Sequence, residues 1–218
     1  SIVLQGDTMG KKVVTRVERD VDKADFAGAF VFPTQAGVYH RGVTSVDLNS
    51  LYPNIMITLN ISPETKLGII VEETDEHVVV NKVNGTSELI EREKFELLLK
   101  NNLTRAANGV LYFKHHIKQG ILPTFLERVY NSRQEDRGKG FEHELKVKAL
   151  TKELEALTDS DAIEKLKAEI EHHDTLANFL DTSQMAKKIL INSLYGSLGS
   201  IYFPLFDLDN AEAVTLTG

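Results

Sequence analysis

Apolar positions recur with two different rhythms along this chain, and the rhythm changes near Pro123. Before it, apolar runs are short and β-prone. Val43-Thr44-Ser45-Val46 reads as a buried strand, and residues 69–82 read as a hairpin. Pro53 suits the first turn of a short helix. Residues 91–100 predict another, ended by Asn101-Asn102. Residues 1–24 are polar and charged and form a lead-in. Beyond Pro123 the spacing predicts two long helices, about 124–157 and 161–199, flanking the turn-like Thr158-Asp159-Ser160-Asp161. Such a pair folds as an antiparallel helical hairpin. Asp161 is placed as its N-cap, with Glu164 at the capping-box position.

At 100° per residue, Leu126, Val129, Tyr130 and Phe141 share one stripe of the first helix, and Arg133 and Arg137 fall inside it. In the second helix Leu166, Ile170, Ala177, Leu180, Ile191, Tyr195 and Leu198 share a stripe that also holds Gln184 and Lys188. Arg133 lies 25 residues before Thr158 and Lys188 lies 27 after Asp161. At about 1.5 Å per residue both sit roughly 40 Å from the turn, so they come level. Taken singly, each cation is compatible with a side chain that covers apolar surface and snorkels to water. Converging at one level beside Asn192 and Tyr195, they suit a triphosphate, which a guanidinium fork and an ammonium bind in complementary ways.

With 218 residues the chain has room for one good core, or one domain and an appendage. It has no cysteine, which excludes disulfides, zinc–thiolate sites and Cys nucleophiles. No apolar run approaches membrane-spanning length, and the N-terminus reads as neither signal peptide nor initiator start, which hints at a piece of a longer protein. The net charge of −7 argues against a general nucleic-acid coat. Charge is uneven, however. Residues 112–148 carry eight basic and five acidic residues (+3), and residues 149–181 carry three and nine (−6). A polyanion site is therefore expected on the flanks of this region.

Two segments carry the chemistry. In Asp47-Leu48-Asn49-Ser50-Leu51-Tyr52-Pro53 a carboxylate follows an apolar run and a tight polar turn follows the carboxylate. Asp47, with the Leu48 carbonyl, can hold Mg²⁺, which takes oxygen ligands. The turn can aim successive N–H groups at a phosphate, and the Tyr52 ring can sit under a sugar and clash with a 2′-OH. A lone Asp before a polar turn is more often an Asx-turn or cap. In Lys188-Ile189-Leu190-Ile191-Asn192-Ser193-Leu194-Tyr195-Gly196, the spacing puts Lys188, Asn192 and Tyr195 on one helical face. Gly196 leaves a smooth spot where a base pair can stack. The plainer reading is a capped core helix with Tyr195 packed inside.

The first segment resembles motif A of family B DNA polymerases (D-x-x-S-L-Y-P-S-I), and the second resembles their motif B (K-x-x-x-N-S-x-Y-G). Asn60-Ile61-Ser62-Pro63-Glu64-Thr65, Gly120-Ile121-Leu122-Pro123-Thr124 and Asn131-Ser132-Arg133-Gln134-Glu135-Asp136-Arg137 resemble the T-even-type phage enzymes in particular. The resemblance covers roughly residues 25–218. It implies an α+β fold, with a partial antiparallel palm sheet and short helices plus a long antiparallel two-helix fingers hairpin. Residues 25–120 would be palm with motif A, 121–199 fingers with motif B, and 200–218 a return into the palm. It implies DNA-directed DNA polymerisation with two Mg²⁺ ions, primer–template DNA and a dNTP, in the cytoplasm (the host's, if phage-encoded). Asp47 would be the catalytic carboxylate and, with Leu48, a metal ligand. Ser50, Leu51, Tyr52, Arg133, Arg137, Lys188 and Asn192 would bind the dNTP, with Tyr52 as steric gate. Tyr195 and Gly196 would lie under the nascent base pair.

Asn54 and Arg137 depart mildly from the pattern. The larger departure is the Y-G-D-T-D-S motif with the second catalytic carboxylates, which the sequence lacks. Asp207 and Asp209 do not sit in its hairpin context. Exonuclease and thumb would belong to the remaining polymerase portion. The chain alone is therefore expected to be inactive. The rival reading is a non-catalytic nucleotide- or DNA-binding accessory half of a split polymerase; a further rival is a helical-hairpin interaction protein.

Overall fold

The computed structural model describes residues 32–34, 36–38, 41–48 and 50–218, so the lead-in of residues 1–24 lies outside the described residues. The chain divides into two compact units. One holds residues up to 125 together with 194–218, and the other holds residues 126–193. The fold is α+β, with an antiparallel sheet and a long helical hairpin.

In the first unit, α1 (Leu51–Leu59) stops at Asn60, whose φ of 60° and ψ of 42° are left-handed. The Asn60 N–H bonds Ile57 O and the Ile61 N–H bonds Met56 O, the paired closure of a Schellman motif. The residues that follow form the sheet. Strands β1 (Lys66–Glu73), β2 (His77–Lys82), β3 (Ser87–Glu91), β4 (Leu103–Arg105) and β5 (Val110–Phe113) lie in the order β3-β2-β1-β5-β4, every pair antiparallel. Alternation along β2 turns Val78 and Val80 inward, where they meet Ile90, Leu103, Leu111 and Phe95 of α2 (Arg92–Asn101). Gly68 is required where β1 crosses β2, because a Cβ there would stand 2.2 Å from the Asn81 carbonyl oxygen.

Long helix α3 (Ile121–Leu154) is rooted by the segment after α1. Glu64 accepts from the Ile121 N–H at 2.5 Å, and Ser62 Oγ bonds Glu64 at 2.6 Å and accepts from the Leu122 N–H at 3.4 Å. These side chains satisfy donors that a helix start leaves open. Asn60 holds the approach to the helix: its Nδ2 donates to Phe113 O (2.6 Å) and Lys118 O (2.7 Å), and its Oδ1 accepts from the Gly120 N–H (3.0 Å). The last helix, α5 (Leu208–Thr217), is capped by Asp207, which accepts from the Asn210 N–H. Tyr112 donates to Asn210 Oδ1 at 2.7 Å and so seats α5 on β5.

In the second unit α3 and α4 (Ser160–Leu198) run antiparallel. The turn is capped by Asp159, not Asp161. Its carboxylate accepts from the Ala162 N–H and its carbonyl from the Ile163 N–H. Covered positions alternate by three and four: 126, 129, 133, 136, 140, 143, 147, 150 and 154 on α3, and 163, 166, 170, 173, 177, 180, 184, 187, 191, 194 and 198 along α4. That is a 3.5-residue seam of coiled-coil type. Phe141 therefore does not join the inner stripe. Gly140 takes the seam position, with room for a Cβ 3.5 Å from that of Leu180, and Phe141 is 58% exposed.

Asn60→Ala is expected to lower stability by about 2–4 kcal/mol, since it leaves a buried amide and two carbonyls unpaired. Asn60→Gly, which relieves the left-handed backbone, should recover about 1 kcal/mol of that. Urea unfolding midpoints of the two variants check both values.

Candidate functional site

Asp47 and Leu48 sit on an exposed stretch of irregular chain. The strand expected at residues 43–46 does not form: Val43 is 74% and Val46 85% exposed. A β-prone run becomes a strand only beside a neighbour, and among the described residues none of the five strands pairs with it. Asn49 lies outside the described residues. Ser50 then turns the chain in a left-handed conformation, φ 54° and ψ 44°, unusual for a residue with a Cβ. Its side chain makes no cap hydrogen bond, and the α1 ladder begins with Asn54 N–H to Ser50 O. The N–H groups of Leu51 and Tyr52 precede that ladder and point out of the helix start, the arrangement that favours anions.

Tyr52 lies against Tyr195, with ring centroids 4.6 Å apart and planes tilted by 43°. Tyr195 is near the end of α4, and its hydroxyl hydrogen-bonds Thr215 on α5, a residue the sequence reading did not single out. Burial holds the Tyr195 phenol above its ordinary range. Helix α5 packs on α1. Gly196 is exposed, with no atom within 4 Å of where its Cβ would be. Asp207 and Asp209 are both gripped by Lys66 Nζ, at 3.0 and 2.6 Å, while Asp207 also caps α5.

In the helical unit, Arg133 Nε donates to Gln184 Oε1 at 3.2 Å, and Gln184 Nε2 donates to Asp181. Lys187 Nζ reaches Asp136 at 2.6 Å and Ser132 Oγ at 2.8 Å, and Ser183 Oγ donates to the same Asp136 oxygen at 2.6 Å. Lys188 and Arg133 step away from the Lys187–Ser132 contact in opposite directions, which leaves them about 3 Å apart along the axis. Lys188, Arg137 and Asn192 are exposed. Lys188 is thus not in the inner stripe; Lys187 is. At 3.6 residues per turn the two lysines flank the stripe's midline by nearly equal angles of about 50°, so that period does not separate them. The heptad spacing does, because 184, 187 and 191 step by three and four.

The sequence-selected residues therefore gather in two sets. Asp47, Leu48, Ser50, Leu51, Tyr52, Tyr195 and Gly196 belong to the sheet-bearing unit, and Arg133, Arg137, Lys188 and Asn192 to the helical unit. Among the described residues no group of three or more His, Asp or Glu is placed to hold a metal ion, and no helix is long and apolar enough to cross a membrane.

The family model for DNA polymerase family B matches residues 2–160. The DNA-directed DNA polymerase of Enterobacteria phage T4 is 34% identical over 223 residues, covering 90% of this chain and 23% of that protein. The DNA-directed DNA polymerase of Escherichia phage RB69 is 30% identical, covering 88% of the chain and 22% of that protein. The DNA polymerase delta catalytic subunit of Glycine max is 27% identical over 90% of the chain and 14% of its own length. The chain thus spans less than a quarter of the length of these relatives.

Lys187, then Ser183, hold the Asp136 carboxyl below its usual range. A depressed carboxylate contributes stability above its unfolded pKa of about 3.9 and loses it as pH falls through the lower folded value. The wild-type chain is therefore expected to lose thermal stability more steeply below about pH 4 than Asp136→Asn does. Melting of the helical signal across that range checks it.

Proposed function

Because the chain belongs to DNA polymerase family B, we propose that it forms part of the nucleotidyl-transfer site of a DNA-directed DNA polymerase. The observation that carries the reading is the Tyr52–Tyr195 contact, which brings the motif A turn and the motif B helix end together within one unit. In this reading residues 25–120 and 200–218 are palm, and 121–199 are fingers.

The proposed roles follow from the chemistry each group offers. Asp47 is an exposed carboxylate beside the backbone carbonyl of Leu48, and both suit the oxygen-seeking Mg²⁺. When bound, the two Mg²⁺ ions supply charge neutralisation at the attacking and leaving oxygens of the phosphoryl transfer. Asp47 is only a share of the ligand set, because Lys66 and the α5 cap already engage Asp207 and Asp209. The remaining carboxylates, with exonuclease and thumb, come from the rest of the polymerase. The open amides of Leu51 and Tyr52 after Ser50 face the triphosphate. Arg133, Arg137, Lys188 and Asn192 of the helical unit offer three cations and an amide that suit a dNTP. Tyr52 excludes a 2′-OH, and Tyr195 with Gly196 supports the nascent base pair. The primer 3′-OH attacks the α-phosphate, and pyrophosphate leaves. Primer–template DNA and a dNTP are the partners, and the cytoplasm is the setting.

The purified 218-residue chain is expected to bind dNTP feebly and to extend no primer, because a pair of divalent ions would need more anionic ligands than Asp47 supplies. Extension should return when a chain supplying the missing carboxylates is added, and Asp47→Ala should abolish it. Robust extension by the pure chain would sink the assignment; no rescue by any complementing portion would favour a non-catalytic binding half. In the reconstituted enzyme, Tyr52→Ala is expected to raise ribonucleotide incorporation relative to deoxyribonucleotide by at least about tenfold, measured as the ratio of kcat/KM values.

A further inference from the structure

We propose that Asp136 and Lys187 are a positioning pair that sets which of two adjacent lysines is delivered to the triphosphate. The inference rests on the dNTP-binding reading of the helical unit. Lys187 and Lys188 are chemically identical and point about 100° apart around α4. A modest rotation of α4 about its own axis would exchange them. The observed ties prevent that rotation. Lys187 is drawn into the seam by Asp136 (2.6 Å) and Ser132 (2.8 Å), and Ser183 buttresses Asp136 from the preceding turn (2.6 Å). Side-chain exposure is 16% for Asp136 and 26% for Lys187. Arg133 is held in the same seam by Gln184, itself 9% exposed. Lys188 is left outside, within one helical turn of Arg133 along the axis. Apolar seam residues specify burial but leave rotation and register loosely set. Polar groups inside a helical seam are the best-attested means of fixing them.

Asp136 is adjacent in sequence to Arg137 and three residues from Arg133, so deleting its negative charge should, by Coulomb attraction alone, strengthen polyanion binding. As a positioning residue, its loss should weaken it. The test is equilibrium titration of the 218-residue chain with dATP and Mg²⁺, with amine-reactive footprinting of the two lysines read by mass spectrometry. In the wild type Lys188 should be modified faster than Lys187, and dATP should protect Lys188. Asp136→Asn should weaken dATP on the order of threefold to tenfold, expose Lys187 to modification and spread nucleotide protection over both lysines. The exchange Asp136→Lys with Lys187→Asp should restore affinity to within about twofold.

Asp136→Asn that stays helical and binds dATP equally or more tightly overturns the proposal. If Lys188→Ala still weakens dATP in that case, the dNTP-binding reading stands alone. If Lys188→Ala changes nothing, both fall. Should Asp136→Asn lose its helical signal, Ser183→Ala removes one contact of the carboxylate without changing charge. It should weaken dATP by about twofold to threefold, and unchanged affinity overturns the proposal.

Discussion

Three stretches of chain hang on the side chain of one buried residue in a left-handed backbone. Asn60 closes α1, donates to the end of β5 and to the loop before α3, and accepts from Gly120, the residue just before α3. Few residues can do all of this. The backbone angle disfavours a branched or bulky side chain, and the geometry asks for two donors and an acceptor in a planar group. Gly120 answers it: a Cβ there would stand 2.7 Å from Asn60 Oδ1. The helix carrying Tyr52, the sheet beneath it and the first turn of the long hairpin are fixed to each other through that amide. Glu64 and Ser62 complete the arrangement by capping α3 from outside its own sequence.

The helical unit solves a different problem. Its helices are 34 and 39 residues long, and their seam is far from uniformly apolar. Arg133, Asp136 and His143 on α3 face Gln184, Lys187 and His173 on α4. The His143 and His173 rings meet through Nδ1 atoms 2.8 Å apart, and burial, then nearby Lys146, hold the His173 imidazole below its ordinary range. One ring donates and the other accepts, which requires the accepting ring to be neutral. A seam built this way gives up some hydrophobic burial for a defined register.

The two long helices, the β1–β2 hairpin and the short α2 were legible because each spans enough residues for its period to show, and Asn and turn residues mark its ends. The tight polar turn at Ser50 was legible as well. What periodicity could not resolve was phase. A 3.6-residue repeat drifts by about 20° per heptad against a 3.5-residue seam, enough to swap Lys187 for Lys188 and Phe141 for Gly140. The cap was misplaced by two residues for a simpler reason: Asp159 and Asp161 are equally good capping types, and only the backbone decides between them. Ser183 and Thr215 carried no sequence signal, and Ser132 and Asp136 stood out only as members of a resembling run, since each matters through a partner remote along the chain. The segment at residues 43–46 was misread because strand propensity says what a segment can do beside a neighbour, not whether the neighbour is there.

That segment has a consequence for how the protein behaves in a tube. Phe32, Val38, Val43, Val46 and Leu48 are between 64% and 85% exposed on chain that joins no sheet among the described residues. Apolar side chains exposed in this way offer the same surface to every other copy of the chain. Encounter between copies grows with the square of concentration, while the net charge of −7 opposes it and loses its reach as salt is added. Dilution and low ionic strength thus oppose association through this run, and the same run is the surface a stabilising neighbour would cover first.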